Sequence, residues 1–210
     1  VSRIVTPGTV TESCMLEERK NNYFASYYGQ GGKFGVAFCD LSTGAFYATL
    51  CEDAQAVASE LGRFAPTEVM RGGENCKDAV LEEALRHRLV CCVDEEKPGQ
   101  YDLPVCTDIL QSHFGQDLAS LGIANMEQVA MAAGALLKTL LELQKNDLAH
   151  IRQFQYYASG KFMELDLDAR RNLELTETMR NRDKKGTLLW AIDRTSTAMG
   201  GRMLRSWLEK

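Results

Sequence analysis

Proline, long apolar runs and low-complexity tracts are scarce in this sequence, and each scarcity excludes a class of protein. Only 4 of the 210 residues are proline, which excludes collagen-like and proline-rich disordered chains. The longest apolar stretch, Val129 to Leu143, is interrupted by Lys138 and Glu142 and is shorter than the roughly 20 residues of a membrane-spanning helix. The first residues also lack the pattern of a secretory signal. With 45% hydrophobic and 25% charged residues, the chain is expected to be soluble and globular.

Metal-binding and redox spacings are also missing. The chain has 7 cysteines and 3 histidines, but no two cysteines have the short spacing typical of zinc knuckles and redox pairs. The histidines are too scattered in the sequence to indicate a local metal site. We therefore predict reduced, buried thiols for the cysteines, which are Cys14, Cys39, Cys51, Cys76, Cys91, Cys92 and Cys106.

Signatures of nucleotide binding and of catalysis are absent from the sequence. The nearest approaches to a phosphate-binding loop, Gly32-Lys33-Phe34 and Gly160-Lys161-Phe162, lack the hydroxyl residue that follows the lysine in such loops. The glycines between positions 29 and 35 do not have the dinucleotide-binding spacing either, and they are predicted to join two strands. No serine elbow or zinc-binding histidine pair is found. We predict that this segment is not itself an enzyme.

Charge is unevenly distributed along the chain. Residues 1–150 carry a net charge of −9, whereas residues 151–210 carry +4. Such an asymmetry indicates two modules with different partners, and we place them at residues 1–149 and 150–210. Neither module is basic enough for a dedicated DNA-binding domain.

The first module is predicted to contain a mixed sheet. Short Gly-bearing connections link the first three strands into an antiparallel meander, and two strand–helix–strand crossovers then imply parallel pairing. The middle strand lacks charge until Asp40, as expected of a central strand covered on both faces. The predicted strands are Tyr23–Tyr28, Phe34–Asp40, Ala45–Leu50, Glu68–Met70 and Leu89–Val93, with helices at 54–64 and around 80–85. This order is typical of ribonuclease-H-like α/β folds.

The remaining segments are predicted to be helical. Two helices, at about 107–114 and 126–145, complete the first module, and the longer one is apolar nearly all round, as expected of a buried helix. The second module is predicted to be a small helical unit with helices in 170–179, 187–193 and a terminal stripe of Met199, Met203, Leu204, Trp207 and Leu208. Because this stripe ends without a capping signal, we expect the chain to be an excised fragment whose missing partner is either further sequence or another copy. We expect this end to self-associate or to be loosely ordered.

Asp40 supports two alternative interpretations. At the end of the middle strand, and with Glu68 or Asp94, it is a candidate metal ligand of a ribonuclease-H-type nuclease, in which carboxylates at strand ends hold two metal ions. It also begins the sequence Asp40-Leu41-Ser42-Thr43-Gly44, where an aspartate favours local hydrogen bonds of a turn.

Four basic residues form a second candidate site. Arg180, Arg182, Lys184 and Lys185 are predicted to lie in or near one loop, where they are candidates for phosphate contacts. The alternative is a solvated loop, because Glu177 and Asp183 interrupt the basic run and no aromatic platform accompanies it.

Several sequence stretches resemble a known family. Residues 172–177 read Asn-Leu-Glu-Leu-Thr-Glu, residues 186–190 read Gly-Thr-Leu-Leu-Trp, and residues 193–204 combine Asp-Arg-Thr with Thr-Ala-Met-Gly-Gly-Arg-Met-Leu. This series strongly resembles the start of the core, or lever, domain of the MutS family of DNA mismatch-recognition ATPases. Residues 3–9 (Arg-Ile-Val-Thr-Pro-Gly-Thr) and 40–44 (Asp-Leu-Ser-Thr-Gly) resemble that family's connector domain.

The resemblance implies a connector domain of ribonuclease-H-like fold followed by the first part of a helical core domain. It implies a bacterial protein that is cytoplasmic, associated with the nucleoid and dimeric. The full-length protein of this family binds mismatched DNA, uses ATP and Mg in its other domains, and recruits a MutL-like partner. The mismatch-reading module and the ATPase of the family are not in this sequence. We therefore expect a non-catalytic relay segment without a cofactor of its own, and place its partner surface at Asp108, Gln111 and Phe114.

Overall fold

The computed structural model describes residues 4–10, 21–145, 148–158 and 167–209. Six strands are present in these ranges: β1 (Tyr23–Gln30), β2 (Lys33–Asp40), β3 (Ala45–Cys51), β4 (Glu68–Gly73), β5 (Cys92–Asp94) and β6 (Gln153–Tyr156). The α-helices are α1 (Ala54–Phe64), α2 (Ala79–Glu83), α3 (Leu103–Phe114), α4 (Glu127–Gln144), α5 (Leu167–Asn172), α6 (Leu188–Ile192) and α7 (Ala198–Glu209). Within the described ranges, no helix is both long enough and apolar enough to span a bilayer.

All six strands form one mixed sheet in the order β5-β4-β1-β2-β3-β6. The pairs β1–β2 and β2–β3 are antiparallel, whereas β1–β4, β4–β5 and β3–β6 are parallel. The predicted meander followed by two crossover units is therefore confirmed, and the first module is an α/β domain.

The strand β2 lies at the centre of the sheet and is covered on both faces, as predicted. Ala37 and Cys39 face a cluster built on α3 and α4, and Val36 and Phe38 face a second cluster built on α1. Since both faces of β2 are buried, its sequence has no alternation of polar and apolar residues until Asp40.

Helix α4 packs unusually close to its neighbours. A Cβ atom on Gly35 of β2 would lie 2.0 Å from the carbonyl oxygen of Gln128, and a Cβ on Gly134 would lie 2.4 Å from Cβ of Cys106 in α3. These two glycines let the helix approach the sheet on one side and α3 on the other. The alanine-rich sequence of α4 serves the same close packing, and the prediction that this helix is buried is confirmed.

Several elements differ from the prediction. Strand β6 was not predicted, and it lies beyond the predicted module boundary at residue 149 yet pairs with β3. Strand β5 is shorter and later than predicted. Helix α3 begins earlier, at Leu103, because Asp102 caps it by accepting a hydrogen bond from the Val105 N–H at 3.1 Å.

The helix predicted over 170–179 is wrong beyond α5. The backbone leaves the helix after Asn172, and Glu174 takes a left-handed conformation with φ of 45°. The Glu174 carboxylate then accepts a hydrogen bond from the Met179 N–H at 2.7 Å. Local side-chain hydrogen bonds of this kind compete with the helix.

The six described cysteines are free thiols. Cys39, Cys51 and Cys106 are buried, but Cys92 is exposed on the edge strand β5, contrary to the prediction. Burial raises the pKa of the Cys106 thiol to about 11, despite the nearby Lys138. Cys14 lies outside the described residues.

Candidate relay contacts and partner surface

The sequence Thr6-Pro7-Gly8-Thr9, which we call the TPGT turn, is fixed to the sheet. Its residues Pro7–Thr9 form a short 3-10 turn, and the Gly8 N–H donates to Oε2 of Glu68 on β4 at 2.7 Å. A side chain at position 8 has no room, because its Cβ would lie 2.8 Å from Cβ of Phe24 and 2.9 Å from Cβ of Glu68. Asn22 adds a hydrogen bond from its side-chain amide to the Pro7 carbonyl at 2.9 Å.

The same segment is also tied to the last turn of α4. The Ile4 N–H donates to the Leu143 carbonyl at 3.0 Å, and the Gln144 side-chain amide donates to the Thr9 carbonyl at 3.4 Å. The TPGT turn is therefore held by β1 and β4 on one side and by α4 on the other.

Glu68 is the buried charge at this junction. It is only 2% exposed, and burial raises the pKa of its carboxyl above the ordinary value of 4.5, with the neighbouring Asp94 acting in the same direction. Hydrogen bonds from Thr6 and Gly8 act in the opposite direction. Glu68 and Asp94 therefore lie together, but it is the TPGT turn that Glu68 binds.

Asp40 begins a tight turn. Its Oδ1 accepts hydrogen bonds from the N–H of Ser42 at 2.8 Å and from the Ser42 hydroxyl at 2.7 Å, and its carbonyl accepts from the Gly44 N–H at 2.9 Å. Gly44 has a φ of +74°, which favours glycine. The interpretation of Asp40 as a turn residue is confirmed.

The nuclease alternative finds no support in the described part of the chain. Asp40 pairs with Tyr23 and Glu68 pairs with Phe24, so β1 separates the two carboxylates, and two strand spacings amount to about 10 Å. Across the described ranges, no group of three or more His, Cys, Asp or Glu is arranged to hold a metal ion.

The Asp40 turn is in contact with two later segments of the chain. The Leu41 carbonyl accepts a hydrogen bond from Nε2 of His150 at 2.9 Å. The guanidinium of Arg202, on α7, donates to the Ser42 hydroxyl at 3.3 Å. The second contact joins the sheet domain to the second module.

The predicted partner surface is only partly exposed. Asp108 is exposed and lines a groove of about 650 Å³ between α3, the end of α4 and residues 149–152. Gln111 is partly buried. Phe114 is also partly buried, with its ring centroid 5.8 Å from that of Phe46 and 5.6 Å from that of Phe154. Phe114 therefore belongs to the core packing of the sheet, and Asp108 is the most accessible residue of the three.

The structure places the four basic residues on one exposed loop. Arg180, Arg182, Lys184 and Lys185 are all exposed, but Lys184 forms an ion pair with Asp193. That pair, with hydrogen bonds from Thr195, holds the pKa of the Asp193 carboxyl well below its usual range. Lys184 is thus bound within its own module, and phosphate contacts by the other three remain a prediction.

The apolar residues of the terminal helix α7 differ in their exposure. Met199, Met203 and Trp207 are exposed, by 80%, 55% and 67%, whereas Leu204 and Leu208 are partly buried. Trp190 of α6 is also 50% exposed. The second module therefore presents an apolar surface that its own described residues leave open.

Sequence reasoning missed the roles of Glu68, Gly8 and Arg202. Gly8 and Arg202 lay within the stretches that carried the family resemblance, but each acts through a partner 60 or 160 residues away. The packing of the TPGT turn against β4 and the position of α7 beside the Asp40 turn bring those partners together, and a single sequence carries no signal of either.

Comparison with known proteins agrees with these features. The model of MutS domain II matches residues 22–152, and that of MutS domain III matches residues 168–210. The DNA mismatch repair protein MutS of Ruminiclostridium cellulolyticum is 42% identical over the whole chain, and that of Acetivibrio thermocellus is 38% identical. The chain spans 24% of each of these relatives, about a quarter of their length. Because the domain II model alone matches more than half of the residues, the chain belongs to the MutS family.

Proposed function

We propose that this chain is the connector and first lever segment of a DNA mismatch repair protein, and that it transmits movement between modules without catalysing a reaction itself. The observation that carries the proposal is the identity of 42% with a protein named DNA mismatch repair protein MutS over the whole chain. The double anchoring of the TPGT turn supports the relay role, since it couples this segment to both the sheet and α4. In the longer protein we place this segment in a dimer associated with the bacterial nucleoid.

We further propose a ribonuclease-H-like arrangement for the sheet domain. The strand order, with an antiparallel meander beside parallel β4 and β5, supports this assignment. Because β6 pairs with β3, we move the proposed boundary between the modules from residue 149 to the stretch after Tyr156.

ATP and Mg belong, in this proposal, to other modules of the longer protein. Across the described residues no three or more His, Cys, Asp or Glu are arranged to hold a metal ion, and the candidate loop Gly160-Lys161-Phe162 lies outside those residues. Gly31 and Gly32 form a hairpin turn between β1 and β2, and the adjacent Lys33 pairs with Glu52 at 2.9 Å. The exposed apolar side chains of α6 and α7 are proposed to contact remaining MutS modules, and in their absence to drive self-association of the fragment.

We also propose that the groove beside Asp108 is part of a docking surface for a MutL-like partner. In a full-length MutS-family protein that contains this segment, Asp108→Lys is expected to weaken binding of the MutL-like partner by about tenfold, since reversing a charge at an interface costs on the order of 1 kcal/mol or more. Binding is measured by surface plasmon resonance in the presence of mismatched DNA and ATP.

The matched control is Glu127→Lys, which also replaces a carboxylate by an ammonium group. It does so at the start of α4, whereas the groove lies beside the end of that helix. Glu127 is exposed and lies in the first turn of that helix, far from the groove at Leu141. Equal affinities for the Asp108 variant and the unmodified protein would refute the docking surface.

The relay role is tested in the same full-length protein by Glu68→Ala. The variant removes the acceptor for the Gly8 N–H, so the TPGT turn loses its bond to β4. We expect mismatch binding without nucleotide, and ATP hydrolysis without DNA, to be retained, while ATP-driven release from mismatched DNA slows by about tenfold because the two sites communicate less well. Unchanged release kinetics in a folded variant would contradict the relay.

A further inference from the structure

We propose that Asp40 is a positioning residue that acts through the Ser42 hydroxyl to hold Arg202, and with it α7, against the sheet. The inference deepens the relay part of the proposed function, because it names a contact through which the sheet domain is coupled to the second module. We call the three residues Asp40, Ser42 and Arg202 the latch.

The chemistry of the latch fixes the direction of its hydrogen bonds. A guanidinium can only donate, and a carboxylate can only accept. The Ser42 hydroxyl therefore donates its single proton to Asp40 Oδ1 at 2.7 Å and accepts from Arg202 at 3.3 Å. The positive charge on α7 and the negative charge on β2 polarise the same hydroxyl, and consecutive hydrogen bonds of this kind strengthen one another.

The carboxylate is held at a cost. Asp40 is fully buried, and its Oδ2 has no hydrogen-bond partner among the described residues. A buried acceptor without a partner is destabilising, which indicates that Asp40 has a role in addition to starting the turn. The second role of Asp40 is to direct its negative charge at the Ser42 hydroxyl. This charge strengthens the hydrogen bond from Arg202 to Ser42, which water would otherwise weaken because Ser42 is exposed.

The turn itself is a rigid platform. His150 holds the Leu41 carbonyl at 2.9 Å, and a Cβ on Gly44 would lie 2.6 Å from the His150 carbonyl oxygen. Leu41 is 4% exposed and packs in the core cluster of α4. Since the turn cannot shift without moving the sheet, a rotation of α7 breaks the bond from Arg202 to Ser42. The latch therefore distinguishes a docked from an undocked α7.

The test is hydrogen–deuterium exchange of the 210-residue chain, read by mass spectrometry on peptides that cover α7. Ser42→Ala and Arg202→Ala are each expected to speed exchange in α7 by about three- to tenfold, the effect of losing one hydrogen bond. The double variant is expected to exchange no faster than the faster single variant, because both substitutions remove the same contact. Asp40→Asn, which retains an acceptor but removes the charge, is expected to give an intermediate increase.

Thr43→Ala is the matched control, since the Thr43 hydroxyl contacts the backbone carbonyl of Asp40 at 3.4 Å and none of the latch side chains, and it is expected to leave α7 unchanged. Exchange in peptides of β1–β3 monitors the fold, so a variant that merely unfolds is recognised by loss of protection there. Additive effects of the Ser42 and Arg202 substitutions, or no change in α7 for Arg202→Ala, would overturn the latch. This experiment uses neither DNA nor nucleotide, whereas the relay is tested by ATP-driven release from mismatched DNA. The latch can therefore be refuted while the relay is supported, and the relay can be refuted while the latch is supported.

Discussion

Gly35→Ala is expected to destabilise the sheet domain by about 3 kcal/mol, at the upper end of what overpacking costs in a core. The added Cβ would lie 2.0 Å from the Gln128 carbonyl oxygen and 2.4 Å from the Val129 nitrogen. Both are backbone atoms, so no rotamer change relieves the clash. Helix α4 would have to move away from β2, and with it the packing along the centre of the sheet would loosen.

Urea unfolding monitored by circular dichroism measures this effect, and Ala37→Gly is the matched control. Ala37 lies two residues further along β2, on the same face, and is fully buried. Removal of its methyl group is expected to cost about 1 kcal/mol through lost burial and added backbone freedom. A Gly35→Ala variant no less stable than Ala37→Gly would show that α4 is free to move.

Glu68→Ala is expected to cost the isolated chain about 2 kcal/mol, because it leaves the buried Gly8 N–H without an acceptor. The loss would release the TPGT turn from β4. Glu68→Gln is the informative comparison, since its amide oxygen still accepts from Gly8 while its NH₂ group donates towards Asp94. We therefore expect the glutamine variant to lose less than half as much stability as the alanine variant.

The pH dependence of the native protein follows from the same carboxyl group. Burial raises the pKa of Glu68 in the folded state above its ordinary value of 4.5, so the native state holds this proton more tightly than the unfolded chain does. The resulting stabilisation is fully present below pH 4.5 and is lost as the pH rises through the folded-state pKa. The free energy of unfolding relative to Glu68→Gln should therefore decrease with rising pH in this window.

Denaturant titrations of the two proteins between acidic and neutral pH provide the measurement. An opposite slope, with the native protein gaining stability over the glutamine variant as the pH rises, would mean that the ionised carboxylate is favoured at this junction. Equal losses for Glu68→Gln and Glu68→Ala would mean that the charge of Glu68, rather than its hydrogen bond to Gly8, holds the TPGT turn.

Local sequence signals were sufficient to predict the central strands of the sheet, but they did not predict its edge strands correctly. Strands β1 to β3 were predicted because short glycine-bearing turns separate β-rich runs, and α1 because its apolar residues recur at helical spacing before Pro66. Strand β6 was missed because the alternation of Gln153 to Tyr156 extends over only four residues, and pairing with β3 makes them a strand. The helix predicted beyond Asn172 failed because side-chain hydrogen bonds, such as that of Glu174, replace helical ones.

In the candidate site, too, some features follow from neighbouring residues in the sequence and others only from tertiary contacts. The sequence alone marked Asp40 to Gly44 as a turn and indicated the MutS family, since both depend on the order of neighbouring residues. Tertiary structure decided that Phe114 belongs to the core, that Lys184 is paired with Asp193, and that Glu68 and Ser42 receive partners from distant segments. Hydrogen bonds and packing act across a few ångströms in space, whereas the residues concerned lie up to 160 positions apart in the chain. Folding of the sheet and the packing of the second module bring those residues into contact.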